Sequence, residues 1–127
     1  MKSAFLLSPD PSLYEHIRDM MANIGVGSTA DKVIQIREPD GRLFTLEGDL
    51  GSCFDYELNE PIKVWRGVGE APDITKATGC YVECRWEDVF IKWVEYIADR
   101  LPYPLWVLDS DGILWPAHNI DPTQLAL

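Results

Sequence analysis

The chain has few basic side chains for its acidic content. Its 127 residues include 11 Lys and Arg against 21 Asp and Glu, a formal net charge of −10 at pH 7. Nucleic acids and anionic lipids are recognised by clustered Lys and Arg, whereas the basic residues here are dispersed singly along the sequence. The sequence therefore predicts neither a nucleic-acid partner nor a membrane partner. A negative field of this size favours encounter with a basic protein.

Cysteines are also scarce, and no long apolar run is present. Cys53, Cys80 and Cys84 are an odd number of cysteines, which favours reduced thiols over a disulfide framework. The apolar run that ends at Leu7 is shorter than the apolar region of a secretory signal or a membrane span. Both features predict a cytoplasmic protein.

Apolar residues make up 46% of the chain, and no linker, repeat or low-complexity segment interrupts them. This composition predicts one globular domain over residues 1–127. Helical spacing of apolar residues predicts two amphipathic helices, one from about residue 13 to 24 and one over residues 86–101. Asp10 and Pro11 are suitable N-cap and N1 residues for the first helix.

Period-two alternation predicts strands elsewhere in the chain. Ile34 and Ile36 precede a turn at residues 38–42, which indicates a β-hairpin. Further strands are predicted at 53–58, 62–66, 74–85 with a kink at Gly79, 105–108 and 113–115. We expect an α+β fold, with a mostly antiparallel sheet and both helices packed on one of its faces.

The motif Leu108-Asp109-Ser110-Asp111-Gly112-Ile113-Leu114 resembles the nucleophile loop of haloacid-dehalogenase-type phosphatases. In that family two aspartates one residue apart act as nucleophile and acid/base beside Mg²⁺. The family also places a lysine downstream, whereas no Lys or Arg follows Arg100 here. Apolar strands on both sides account for the motif as an Asp-Gly hairpin turn, so we predict a turn.

No metal or cofactor is expected. Cys80 and Cys84 fall on the same face of a predicted strand as Val82, which indicates two buried thiols. A structural zinc site needs four ligands, and the remaining candidates, Cys53 and two histidines, are scattered. The glycine groups are too sparse for phosphate-binding loops.

Two alternatives to a non-catalytic binding protein remain open. His118 could pair with Asp109 or Asp111 as a base, which would give a small enzyme or ligand-binding domain. The chain could instead be a subunit of a larger assembly, for which an exposed apolar patch including Trp65 or Trp115 would be the sign.

One acidic stretch is the strongest candidate for a binding surface. No Lys or Arg occurs from Leu43 through Ile62. Carboxylates interleaved with aromatic side chains suit a docking face in which aromatic anchors lie within a charged rim. The predicted partner-binding residues are Glu47, Asp49, Asp55, Tyr56, Glu57 and Glu60.

In its whole profile the chain resembles the immunity proteins of bacterial polymorphic and contact-dependent toxin systems. Those proteins are cytosolic, of about this length, acidic, rich in aromatic residues, single-domain and without a complete active site. The resemblance implies one-to-one binding of a cognate toxin domain, often a basic nuclease. It carries over no binding residues, because such families diverge most at their interfaces, and it leaves the oligomeric state open.

Overall fold

One β-sheet and two α-helices make up the part of the chain that the computed structural model describes, which is residues 3–24, 27–30, 32–48 and 62–127. The strands are Ser3–Ser8 (β1), Gly27–Ala30 (β2), Val33–Arg37 (β3), Leu43–Gly48 (β4), Val64–Trp65 (β5), Thr78–Glu83 (β6), Trp106–Leu108 (β7) and Ile113–Pro116 (β8). The helices are Leu13–Ile24 (α1) and Glu87–Arg100 (α2), and a 3₁₀ helix spans Ile74–Lys76.

The strand order across the sheet is β2-β3-β4-β6-β1-β7-β8-β5. Every neighbouring pair is antiparallel except β5 and β8, which are parallel. This arrangement confirms the predicted α+β fold with a mostly antiparallel sheet. The central strand β6 separates β4 from β1, so the chain brings together strands that are distant in sequence.

Both helices pack on the same face of the sheet. Leu6 of β1 and Val82 of β6 are fully buried there. The apolar side of α1 consists of Leu13, Tyr14, Ile17 and Met21, and that of α2 of Val89, Phe90, Trp93, Val94, Ile97 and Ala98. All of these side chains join one cluster with the strands. Because burial of each large apolar side chain contributes roughly 1.5–3 kcal/mol, this face supplies most of the driving force for folding.

Among the described residues, the opposite face of the sheet is covered at one end. Leu7, Leu108 and Leu114 form a second buried cluster there with Ile74, which the chain between β5 and β6 brings over the sheet. The remainder of this face lies on β1, β3, β4 and β6, and neither helix covers it. We call it the open face. Its half-buried residues include Ser3, Phe5, Val33, Gln35, Leu43, Thr45, Glu47, Tyr81 and Glu83.

The first helix starts at Leu13, as the apolar spacing predicts, but two residues after Pro11, which was predicted as its N1 residue. The Asp10 carboxylate accepts a hydrogen bond from the Ser12 backbone N–H at 2.8 Å, and the Ser12 carbonyl accepts from the His16 N–H at 3.0 Å. Asp10 therefore closes a short turn ahead of the helix, and α1 begins at Leu13. The prediction of Asp10 and Pro11 as N-cap and N1 residues was wrong for this reason.

Two strand predictions also need correction. The strand predicted from residue 74 begins at Thr78, because Asp73 caps the 3₁₀ helix by accepting from the Thr75 N–H. Gly79 pairs with Leu7 in unbroken register, so the expected kink there is wrong. Strand β2 was not predicted, since its sequence Gly-Ser-Thr-Ala has no apolar alternation. The strand predicted at 53–58 lies outside the described residues.

Ion pairs join the turn between β3 and β4 to α2. The Arg42 guanidinium lies 2.9 Å from Asp88 and 2.8 Å from Asp40, and Lys92 lies 2.7 Å from Glu38. The hydrogen bond from Arg42 holds the pKa of Asp88 below its ordinary value. Basic charge on the helix-bearing side is therefore already engaged within the chain.

Gly48 provides a test of how α1 sits on the sheet. A Cβ atom at this position would overlap the ring of Tyr14, so Gly48→Ala should destabilise the protein by about 1–3 kcal/mol. In a Tyr14→Ala background the two ring contacts are absent and only the contact with the Tyr14 Cβ at 2.9 Å remains, so the same substitution should cost clearly less. Urea unfolding of the wild type, the two single variants and the double variant measures the cost of Gly48→Ala in both backgrounds. An equal penalty in the two backgrounds would contradict this packing.

Candidate functional site

The open face places carboxylates beside aromatic rings. Glu47 of β4 lies opposite Tyr81 of β6, and Tyr81 lies opposite Phe5 of β1. The Phe5 and Tyr81 rings are tilted against each other, with centroids 5.6 Å apart. Glu83, two residues along β6, lies opposite Thr45. Two carboxylates therefore flank one aromatic pair on the same face of the sheet.

The charges of Glu47 and Glu83 are not compensated locally. Neither carboxylate forms an ion pair with another residue in the described ranges. Between β3 and β4 on this face, the Gln35 side-chain amide donates a hydrogen bond to the Thr45 hydroxyl at 3.3 Å. This contact is between two neutral side chains. Arg37 stands at one corner of this face, exposed. A cation brought by a partner would therefore meet carboxylates that form no competing salt bridge with the described part of the chain.

A cleft with a volume of about 390 Å³ adjoins the open face. Phe5 and Tyr81 line one side, and the turn that follows β7 lines the other together with Lys63. The Lys63 N–H donates to the Gly112 carbonyl at 3.0 Å. A Cβ atom on Gly112 would lie 3.4 Å from the Lys63 stem, which shows that the stem packs along this turn.

Asp109 lines the cleft, but its carboxylate is already occupied. One oxygen accepts hydrogen bonds from the backbone N–H groups of Asp111 and Ile113, both at 3.0 Å. The other accepts from the Trp115 indole at 3.0 Å and the Ala126 N–H at 3.3 Å. Only 5% of Asp109 is exposed. These contacts confirm the predicted Asp-Gly turn and give Asp109 a structural role, which is to tie the turn to the segment near residue 126.

His118 is not brought to these aspartates. Its Nδ1 lies 3.4 Å from the Asp99 carboxylate of α2, and both side chains are exposed. The cleft is lined by Asp109 and Asp111 but not by His118. His118 was considered as a base that could pair with Asp109 or Asp111. In the structure its neighbouring carboxylate is that of Asp99.

Two of the cysteines are buried thiols, as predicted. Cys80 and Cys84 lie on the helix-covered face with Val82. Burial raises the pKa of Cys80 to about 12, so the thiol stays protonated at neutral pH and is a poor nucleophile. Within the described residues, no group of three or more His, Cys, Asp or Glu side chains could hold a metal ion.

Glu47 is the one predicted partner-binding residue that the structure describes. Asp49, Asp55, Tyr56, Glu57 and Glu60 lie outside the described residues, so their role stays a prediction. Tyr81 and Glu83 were not among the predicted partner-binding residues. The sequence did indicate which face they occupy, because they alternate with Cys80, Val82 and Cys84, whose face of the strand was predicted to be buried.

Exposed apolar side chains are scattered where the structure describes them. The large ones are Ile24, Val64 and Val68. Trp115 is 2% exposed and Trp65 is half-buried, so these two do not form the patch expected of an assembly subunit. None of the described helices is long and apolar enough to cross a bilayer.

Comparison with protein-family models, curated proteins and solved structures found no match to this chain.

Removing the charge of Asp109 should destabilise the fold. In Asp109→Asn an amide NH₂ would face two of the four donors that the carboxylate accepts, so we expect a loss of about 2 kcal/mol or more. Asp111→Asn is the matched control, because Asp111 is exposed and Asn-Gly also suits the turn; its effect should stay within about 0.5 kcal/mol. Thermal and urea unfolding measure both. Equal effects would contradict the structural role of Asp109.

Cys80 should resist alkylation in the folded protein. At pH 8 its thiol is protonated and shielded, so iodoacetamide should label it only after urea unfolds the chain. Peptide mapping by mass spectrometry reports labelling at this residue directly. Labelling at the same rate with and without urea would show that the thiol is not buried.

Proposed function

We propose that this chain is a non-enzymatic binding protein, an immunity protein that neutralises a cognate bacterial toxin domain by direct binding. The observation that supports this most is the open face, where Glu47 and Glu83 flank Tyr81 and Phe5 and neither carboxylate forms an ion pair with a described residue. Aromatic anchors within an acidic rim are the arrangement that stable complexes with basic proteins use.

The open face alone is too small for a tight complex. Its four strands span roughly 14 Å across and 20 Å along, whereas each partner in a stable complex contributes about 800 Å². The docking surface must therefore extend beyond it. We propose that it continues onto the acidic segment that follows Glu47 directly in sequence, with Asp49, Asp55, Tyr56, Glu57 and Glu60 as the contacts.

The proposed mechanism has two stages. The net charge of −10 attracts a basic toxin domain and raises the association rate. Tyr81 and Phe5 are then buried against the partner, while Glu47 and Glu83 pair with its Lys and Arg side chains. The toxin is blocked because its basic surface is covered, and this chain makes or breaks no covalent bond. We place this encounter in the cytoplasm.

The state of the candidate catalytic groups supports a non-catalytic role. Both oxygens of Asp109 accept two hydrogen bonds each, the thiol of Cys80 is held protonated by burial, and His118 lies beside Asp99 and does not line the cleft. An enzyme would need a nucleophile or base that is free to act at the cleft.

Charge reversal on the open face tests the proposal. The domain encoded by the reading frame immediately upstream is co-expressed with this chain in bacteria, and survival is scored. We expect the wild type to protect the cells and Glu47→Lys/Glu83→Lys to lose protection, with affinity weakened at least about tenfold. The matched control, Glu70→Lys/Glu95→Lys, changes net charge equally at exposed sites on other elements and should still protect.

Two results would contradict the proposal. Cells that die whether or not the wild-type chain is present would show that no toxin is neutralised. Equal protection by the two charge-reversed proteins would show that the open face is not the docking surface. Calorimetry of purified pairs at two salt concentrations adds a separate check, because screening should weaken the wild-type complex more than the Glu47→Gln/Glu83→Gln complex.

A further inference from the structure

We propose that the cleft beside the open face receives one arginine side chain of the basic partner. The inference rests on the proposed function and specifies which chemical group of the partner is recognised. The cleft continues the open face directly, because Phe5 and Tyr81 belong to both. A partner docked on the open face would therefore place its neighbouring side chains at the mouth of the cleft.

The shape of the cleft suits a flat cation. Its volume of about 390 Å³ accommodates one long side chain, and the tilted Phe5 and Tyr81 rings provide an aromatic wall. Guanidinium groups stack on aromatic faces and shed water more readily than ammonium groups do. The chain itself uses such pairs, since Arg100 lies 3.4 Å from the Tyr96 ring centroid and Arg66 lies 5.7 Å from that of Trp115.

The charges around the cleft favour a positive occupant. Asp111 is exposed at the turn and forms no ion pair with any residue that the structure describes. The hydrogen bonds of Asp109 all come from neutral N–H groups, so its negative charge has no counter-ion among those partners. Among the described residues that line the cleft, Lys63 is the one cation. One positive charge against the two negative charges of Asp109 and Asp111 gives this described part of the lining a charge of −1.

Lys63 gives the proposal a directional test. Its stem packs along Gly112, and the side chain as a whole is exposed, so its ammonium group can stay in solvent when another cation enters. The ammonium still competes for the same carboxylates. Replacement by Met would keep the packed stem and remove the competing charge, and an arginine should then bind more tightly.

The test uses the whole purified protein and no partner. N-acetyl-arginine amide is titrated in, and NMR shifts of Phe5, Tyr81, Asp111 and Gly112 are followed. We expect saturable shifts confined to the cleft, with weaker binding of the lysine analogue. The citrulline analogue has nearly the same shape without charge and should bind most weakly.

Variants separate charge from shape. Asp111→Asn should weaken binding of the arginine amide about threefold, and Lys63→Met should tighten it about threefold. Glu95→Gln, on the exposed side of α2, is the control and should leave the affinity unchanged. Asn-Gly keeps the turn geometry, so the Asp111 variant tests charge without disturbing the fold.

Several outcomes would overturn the inference: equal binding of citrulline and arginine amides, weaker binding after Lys63→Met, stronger binding of acetate than of the cations, or shifts outside the cleft. If cleft binding fails while Glu47→Lys/Glu83→Lys still abolishes protection, only this inference falls. If the arginine amide binds but the wild-type chain protects no cells, the proposed function falls instead.

Discussion

The alternation of side chains along β4 and β6 is the constraint on which both the fold and the proposed site depend. Val82 and Leu46 are fully buried beneath the helices. Because successive residues of a strand point to opposite faces, Tyr81, Glu83 and Glu47 must then lie on the other side. The packing that stabilises the core thus also fixes the spacing of the two carboxylates and the ring, and no flexible loop is needed to hold them in place.

A second constraint comes from Asp109, whose buried carboxylate accepts hydrogen bonds from four neutral N–H donors. A buried charge is tolerated when hydrogen bonds replace its lost hydration. The turn residues that resemble a phosphatase nucleophile loop are therefore explained by architecture. They close the β7–β8 hairpin and leave Asp111 exposed at the cleft. The same motif can serve catalysis or a turn, and only the hydrogen-bond partners distinguish the two.

Much of the fold could be predicted from local sequence patterns, and the site only in part. The second helix, the hairpin around residues 38–42 and the β7–β8 turn were confirmed because periodicity and turn residues are local signals. Strand β2 lacks such a signal, and the start of α1 depends on a side-chain bond that competes with the cap. The placement of β6 between β4 and β1 is a non-local pairing. Glu47 could therefore be predicted as a binding residue from charge alone. Its position opposite Tyr81 could not be predicted, because it depends on this non-local pairing.

Charge placement links these features to the proposed binding role. Arg42 and Lys92 are engaged on the helix-bearing side, whereas Glu47 and Glu83 have no such partner among the described residues. The central claim is that a basic toxin domain docks on the open face. NMR cross-saturation from the partner to amides of this chain in their complex tests it most directly. The account predicts attenuation at β4, β6 and the cleft, while attenuation confined to the exposed sides of α1 and α2 would contradict it.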